Sequence, residues 1–185
     1  MRTNSQDRPN RAFTLVEMVG VLAVISILAS MLVPKIFSAI NDARLGSTVG
    51  SIDGLKSATV SYYSKYGTLP ITNSFDGMLV SSEFLERPFD CKIGVGDLVQ
   101  GVAGPAGPTG AGYKLDGTVG LTSNAATVVQ CLISNVAIAD AWELSKRVDG
   151  DSLSAANASS ADDKGRVAYS FTSGSGVVYV YIGHR

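Results

Sequence analysis

Glu17 is the one charged residue in a run of 21, residues 13–33, whose other members are Phe, Thr, Leu, Val, Met, Gly, Ala, Ile and Ser. A carboxylate in such a setting has one main chemistry open to it, pairing with a cation, because opposite charges attract strongly at low dielectric while each alone bears a large desolvation cost. Two cysteines, Cys91 and Cys131, stand 40 residues apart. Carboxylates gather at Asp149-Gly150-Asp151 and Asp162-Asp163-Lys164-Gly165. These could give oxygens to Ca²⁺, but the spacing is not that of an EF-hand and Asp-Gly is a turn dipeptide, so solvated turns are expected and no metal site is assigned. Trp142 and Tyr113 read as packing residues, since nothing convergent surrounds them in sequence. The single histidine, His184, is next to last in the chain, which leaves no parts for a His-based triad or a His-rich metal site. No Ser, Cys or carboxylate has partners at catalytic spacing. The chain is therefore expected not to be an enzyme and to need no cofactor.

These residues sit in a chain of 185, the size of one ordinary domain, with 45% hydrophobic and 17% charged residues and a mean hydropathy of +0.21. That balance excludes a disordered polyelectrolyte and is greasy for a wholly soluble protein. Fifteen Lys and Arg against sixteen Asp and Glu give a net charge of -1, so no electrostatic footprint for nucleic acid exists and none is expected as a direct partner. The element that positions Glu17 is a helix: at about 1.5 Å per residue, residues 13–33 reach about 31 Å, close to the ~30 Å hydrocarbon core of a bilayer. Arg2, Arg8 and Arg11 precede it against Asp7, which orients the N-terminus to the cytoplasm and exports the remainder. An ordinary signal peptide has a shorter apolar run and a small-x-small cleavage site at its far end, which residues 28–34 lack. A plain transmembrane anchor explains the length but not Glu17, since a carboxylate in lipid costs about 2.5–3.5 kcal/mol and usually marks function.

A third reading accounts for both. The residues Ala12-Phe13-Thr14-Leu15-Val16-Glu17 resemble the class III signal of type IV pilins and type II secretion pseudopilins. In that family a prepilin peptidase cuts on the cytoplasmic side of the apolar run and methylates the new N-terminal Phe; the fifth mature residue is Glu, and a Pro follows some 22 residues in. Cutting after Ala12 exposes Phe13, makes Glu17 fifth and Pro34 twenty-second. The departure is Ala12, where the family prefers Gly. The resemblance implies a removed leader (1–12), a transmembrane and filament-core helix (13–33) and an exported pilin-like head (34–185).

Beyond Pro34, Leu45, Val49, Ile52, Leu55, Thr59, Tyr62 or Tyr63 and Tyr66 recur at intervals of three and four, which predicts a continuing amphipathic helix to about Tyr66 with a bend near Pro34. Residues 13–66 would make about 80 Å of straight helix, far more than a globular domain needs. Gly46, Gly50 and Gly54 fall roughly opposite the apolar stripe, where they either reflect loose packing or permit close helix approach in a filament. Gly67-Thr68-Leu69-Pro70 ends the helix. Residues 52–70 are similar to the part of major pseudopilins where the long helix closes with a Tyr-rich turn, Gly and Pro. Downstream the pattern predicts a short helix at 76–84, a mobile Gly-rich loop at 94–120, a helix at 125–146 and a hairpin of strands 166–172 and 177–182 around Ser173-Gly174-Ser175-Gly176. Val167, Tyr169 and Phe171 would face one side and Ala168 and Ser170 the other, so that one face can lie on the long helix, giving an α+β fold in which that helix packs on a small C-terminal antiparallel sheet, as in pilins.

Cys91 and Cys131 lie in the exported part, where an even pair reads as one disulfide worth roughly 4 kcal/mol by chain entropy; two buried free thiols are the alternative. Major pseudopilins use a C-terminal calcium site, but the two Asp-rich turns are not assigned to it. The resemblance implies a structural subunit held in the lipid bilayer of the inner membrane, processed by prepilin peptidase at Ala12-Phe13 and assembled by an inner-membrane platform into a helical filament, periplasmic or extracellular. A rival of another class is an exported binding or adhesive domain on a simple anchor, with the Gly-rich loop as its recognition surface.

Overall fold

In the computed structural model of the protein, residues 13–95, 97–120, 124–173 and 175–185 are described. The expected leader 1–12, Ala12 included, and Gly174 of the hairpin turn lie outside the described residues. The chain divides into two compact units, Met1–Asn41 and Asp42–Arg185. The first helix, α1 (Leu15–Tyr66), contributes to both. It ends where Gly67 turns to a φ of +68°, a conformation that favours glycine, while its N–H still donates to the Tyr63 carbonyl at 2.8 Å. Arg185 Nη1 donates to the Gly67 carbonyl at 2.6 Å, so the C-terminal residue satisfies the helix end. Pro34 lies inside α1, which continues through it as helix. Proline removes one backbone donor there and crowds the preceding turn, which long flanking apolar helix tolerates.

Within the second unit a four-stranded antiparallel sheet has the order β1-β2-β4-β3, formed by β1 (Asp97–Ala103), β2 (Thr127–Ala137), β3 (Val167–Ser173) and β4 (Ser175–His184). Two short helices, α2 (Phe75–Ser81) and α3 (Ile138–Asp149), complete it. The C-terminal hairpin stands where the alternating pattern places it, and α2 overlaps the expected 76–84. The middle differs in two respects. The expected helix at 125–146 is a strand followed by a helix: residues 127–133 are Thr-Val-Val-Gln-Cys-Leu-Ile, a run of β-formers that is central in the sheet and covered on both faces, so it lacks the alternation of a half-exposed strand. Asn135, with φ +54°, sits in the irregularity between Ile133 and Val136, after which β2 pairs again with β4 at Val136–Gly176 and Ala137–Ser175 before α3 begins. The second difference is β1, hidden in the Gly-rich stretch. Gly101 is its pivot: it pairs with Thr72, and a Cβ there would stand 2.2 Å from the Pro70 carbonyl oxygen.

The core forms on one face of this sheet. Leu45, Ile52, Leu55 and Ala58 of α1 join Val129, Cys131, Ile133, Val167, Tyr169, Val178 and Val180 in one buried cluster. Each buried Val, Leu or Ile contributes about 1.5–3 kcal/mol relative to exposure. On the other face Tyr113, Ala106, Val128 and Ala168 make a second cluster. The Tyr113 hydroxyl and the Gly107 N–H both donate to Gln130 Oε1, at 2.9 and 3.1 Å. The Gly-rich stretch expected as a mobile loop is thus anchored on the sheet by a buried polar contact, which is why an aromatic residue stands among its glycines.

Candidate assembly segment

The N-terminal part of α1 presents a different surface. Residues 13–44 are all exposed, with Phe13 and Leu15 each 80% accessible, although most are apolar up to Ile40. Among the described residues, α1 is the helix long and apolar enough to cross a membrane. The polar side chains in this stretch turn inward on the helix: Ser26 Oγ donates to the Leu22 carbonyl at 2.7 Å and Ser30 Oγ to the Ile27 carbonyl at 2.8 Å. Such back-bonding satisfies hydroxyls that would otherwise meet lipid unpaired.

Glu17 is held by its own helix start. The Thr14 N–H and the Thr14 hydroxyl both donate to Glu17 Oε2, each at 2.9 Å, and the Glu17 N–H donates to Thr14 Oγ1 at 3.2 Å. Thr14 is the N-cap and Glu17 the third helical residue, so the two form a reciprocal capping box that fills donors an α-helix leaves open. A carboxylate is also favoured there by the positive end of the helix dipole. Phe13 lies just outside the helix. Thr14 is a residue that the sequence analysis above leaves without a role. Its signal is the Thr-x-x-Glu spacing directly before an apolar helical run.

Gly46, Gly50 and Gly54 face open space: a Cβ on any of them would meet nothing within 4 Å. They stand apart from the buried stripe of Leu45, Thr48, Ile52, Leu55, Ala58 and Thr59, as their spacing requires. Gly50 and Gly54 also border a groove of about 560 Å³, walled by Phe84, Arg87, Pro88 and Phe89. The structure does not bring Glu17 and Pro34 together with these glycines; they occupy successive stretches of one helix.

The remaining candidates have structural partners. Cys91 and Cys131 are both free thiols, so the bridge expected between them is not formed here. Cys91 Sγ donates instead to the Ile93 carbonyl at 3.2 Å and lies 3.7 Å from Thr48 Oγ1, while Cys131 points into the core from β2. Burial pushes the Cys91 thiol up and the Cys131 thiol well up from the ordinary value, which keeps both protonated at neutral pH. The carboxylate of Asp149 accepts the N–H groups of Arg166 at 2.9 Å and Val167 at 2.8 Å. Asp162 Oδ2 accepts from Ser145 Oγ at 2.7 Å and the Ala155 N–H at 3.1 Å. Both therefore organise the connection between α3 and β3. Asp151 pairs with Lys146 at 3.3 Å, and Asp163 pairs with Lys114. Among the described residues, no three His, Cys, Asp or Glu side chains are grouped to hold a metal ion. Trp142 Nε1 donates to the Ala155 carbonyl at 2.9 Å, under Lys146, whose Nζ is 4.6 Å from the ring centre.

A long helix, apolar and exposed through its first half, with an antiparallel sheet packed on its second, defines a pilin-like α+β protein. Residues 7–33 match the family model for the prokaryotic N-terminal methylation motif. The chain is similar to a fimbrial protein of Neisseria meningitidis serogroup B (strain ATCC BAA-335 / MC58), with 33% identity over 73 residues, 40% of this chain and 43% of that protein. The match thus spans less than half the length of that relative. No solved structure matches the chain. The motif and the fimbrial relative support a likeness of this chain to type IV pilins and pseudopilins.

Proposed function

We propose that this chain is a structural filament subunit, of type IV pilin or type II secretion pseudopilin kind. The observation that carries this reading is the exposed apolar first half of α1, a surface of 13–40 that water does not favour and a membrane or other copies of the same helix would cover. Before assembly the segment spans the inner membrane with the head exported. Prepilin peptidase removes the leader after Ala12 and methylates Phe13; an inner-membrane platform then drives the helices together at the filament centre.

Glu17 acts in that assembly. Cutting after Ala12 creates a cationic amine on Phe13, four residues from Glu17, and in a filament the amine of one subunit meets Glu17 of another. A buried ion pair in this position fixes the axial register of helices that are otherwise uniformly greasy. Pro34 removes one backbone donor from α1, and the open face of Gly46, Gly50 and Gly54 admits close approach of a neighbouring helix. Intact-mass analysis of the membrane form tests the processing step. The mature chain is expected to begin at Phe13 and carry one methyl group; a chain still beginning at Met1, or beginning beyond Ser30, contradicts the reading.

A further inference from the structure

We propose that Asn157 is a glycan acceptor, its side-chain nitrogen being joined to an oligosaccharide once the head has been exported. The inference goes beyond the filament reading and takes from it only the export of the head. Of the seven asparagines in the chain, Asn157 alone is followed two residues on by Ser or Thr, in Asn157-Ala158-Ser159. That tripeptide is the acceptor pattern for N-linked glycans, and it serves only on an accessible surface loop of an exported chain. Asn157 and Ser159 are both exposed, in the connection between α3 and β3. The loop stands on a firm base. The Ala155 N–H donates to Asp162 Oδ2 at 3.1 Å, the Ala155 carbonyl accepts from Trp142 Nε1 at 2.9 Å, and Asp162 exchanges backbone bonds with Tyr169 at 3.0 and 2.7 Å. Residues 156–161 therefore project between two pinned ends, and a substituent on Asn157 displaces nothing from the core. The side chain is also turned for the reaction. Asn157 Oδ1 accepts the Ser159 N–H at 3.0 Å and Ser160 Oγ at 3.1 Å. A backbone N–H can only donate, so the branch facing it is the amide oxygen, and Nδ2 is the outer branch, with no acceptor among the described residues. Transfer from a polyprenyl-diphosphate-linked oligosaccharide joins Nδ2 to the anomeric carbon. The bond from that carbon to the diphosphate oxygen breaks, the lipid diphosphate leaves with its electron pair, and one Nδ2 proton passes to a base of the transferase. As Nδ2 loses its proton, negative charge collects on Oδ1, where two donors already point.

Mass analysis of the full chain, purified from the cells that naturally make it, tests this with the wild type and the variants Asn157→Gln, Ser159→Ala, Ser159→Thr and Ser160→Ala. Trypsin cleavage after Arg147 and Lys164 releases the peptide 148–164, which holds the whole tripeptide. The wild-type peptide is expected to carry the added mass of sugar residues, placed on Asn157 by fragmentation. Asn157→Gln and Ser159→Ala should each abolish it, because glutamine moves the amide one carbon outward and alanine deletes the hydroxyl that the acceptor pattern requires. Ser159→Thr and Ser160→Ala should keep it. An unmodified wild-type peptide overturns the proposal, as does added mass that survives Asn157→Gln and so sits on a serine hydroxyl, or added mass that survives Ser159→Ala. Export is read separately, by protease added to spheroplasts of the same cells. A head that the protease cannot reach overturns the filament reading together with the proposal, whereas a head that is reached but unmodified overturns the proposal alone.

Discussion

A carboxylate at the first turn of a membrane-length helix is costly unless something answers its charge, and at the residue scale this sets the sharpest expectations. Glu17→Leu should leave the head folded and the chain inserted, since among the described residues the Glu17 side chain hydrogen-bonds to Thr14 alone, yet fibres should fail or form only with wild-type subunits mixed in. Electron microscopy of cells expressing each variant alone reads the difference. Tyr169 makes a second test, of stability. Its hydroxyl is buried and has no hydrogen-bond partner among the described residues, and burial, helped by the Asp162 carboxylate, pushes its pKa up to about 12. A phenol that ionises near 10 when unfolded and near 12 when folded gives stability that is present below pH 10 and lost as pH rises from 10 towards 12. Tyr169→Phe should match the wild type at pH 7 or exceed it by about 1 kcal/mol, because an unsatisfied buried group is removed. It should also soften the fall above pH 10, as urea midpoints at pH 7 and 11 would show. Lone residues of unusual type were legible in the sequence: Glu17 stands out by charge alone. Pairings were less so. Thr14 is an ordinary residue until its hydroxyl is seen on Glu17, and an even cysteine count says nothing of the direction in which Cys91 points.

Glycine has opposite meanings in two elements, and a substitution series separates them. On α1, Gly46, Gly50 and Gly54 have open space where a Cβ would go, so alanine at all three should stabilise the helix by on the order of 2–3 kcal/mol, through lower backbone entropy loss. If that face packs against other subunits the same triple variant should form fewer fibres; normal fibre yield would return the glycines to loose packing. In β1, Gly101→Ala drives a Cβ to 2.2 Å from the Pro70 carbonyl, and backbone cannot yield as a side chain can. It should destabilise by about 1–3 kcal/mol, measured by the same urea unfolding. The ends of the chain were readable at this scale because each has one period. Leu45, Ile52 and Leu55 repeat as a helix stripe, and Val167, Tyr169 and Phe171 alternate as a strand. The middle was not. A central strand buried on both faces reads as an unbroken apolar run, so β2 merged with α3, and β1 was masked by the glycines around it, of which Gly101 serves close contact with residues 70–72.

For the whole molecule, the division of labour within α1 is the organising feature. Its second half supplies Leu45, Ile52, Leu55 and Ala58 to the head's own core, while its first half buries none of its residues in the chain. A protein that folds around one half of a helix and leaves the other apolar half bare has a surface that lipid or copies of the same helix would cover, which is the ground of the filament proposal. An anchored binding domain would share the membrane segment but would leave Glu17 within the apolar run and the open glycine face without a use. The direct test is electron microscopy of the fraction sheared from cells that express this chain with the peptidase and assembly platform, with the subunit identified in the fibres by mass. The account predicts thin helical fibres built of chains beginning at Phe13. Membrane-bound single copies and no fibres, under conditions where the leader is cut, would contradict it.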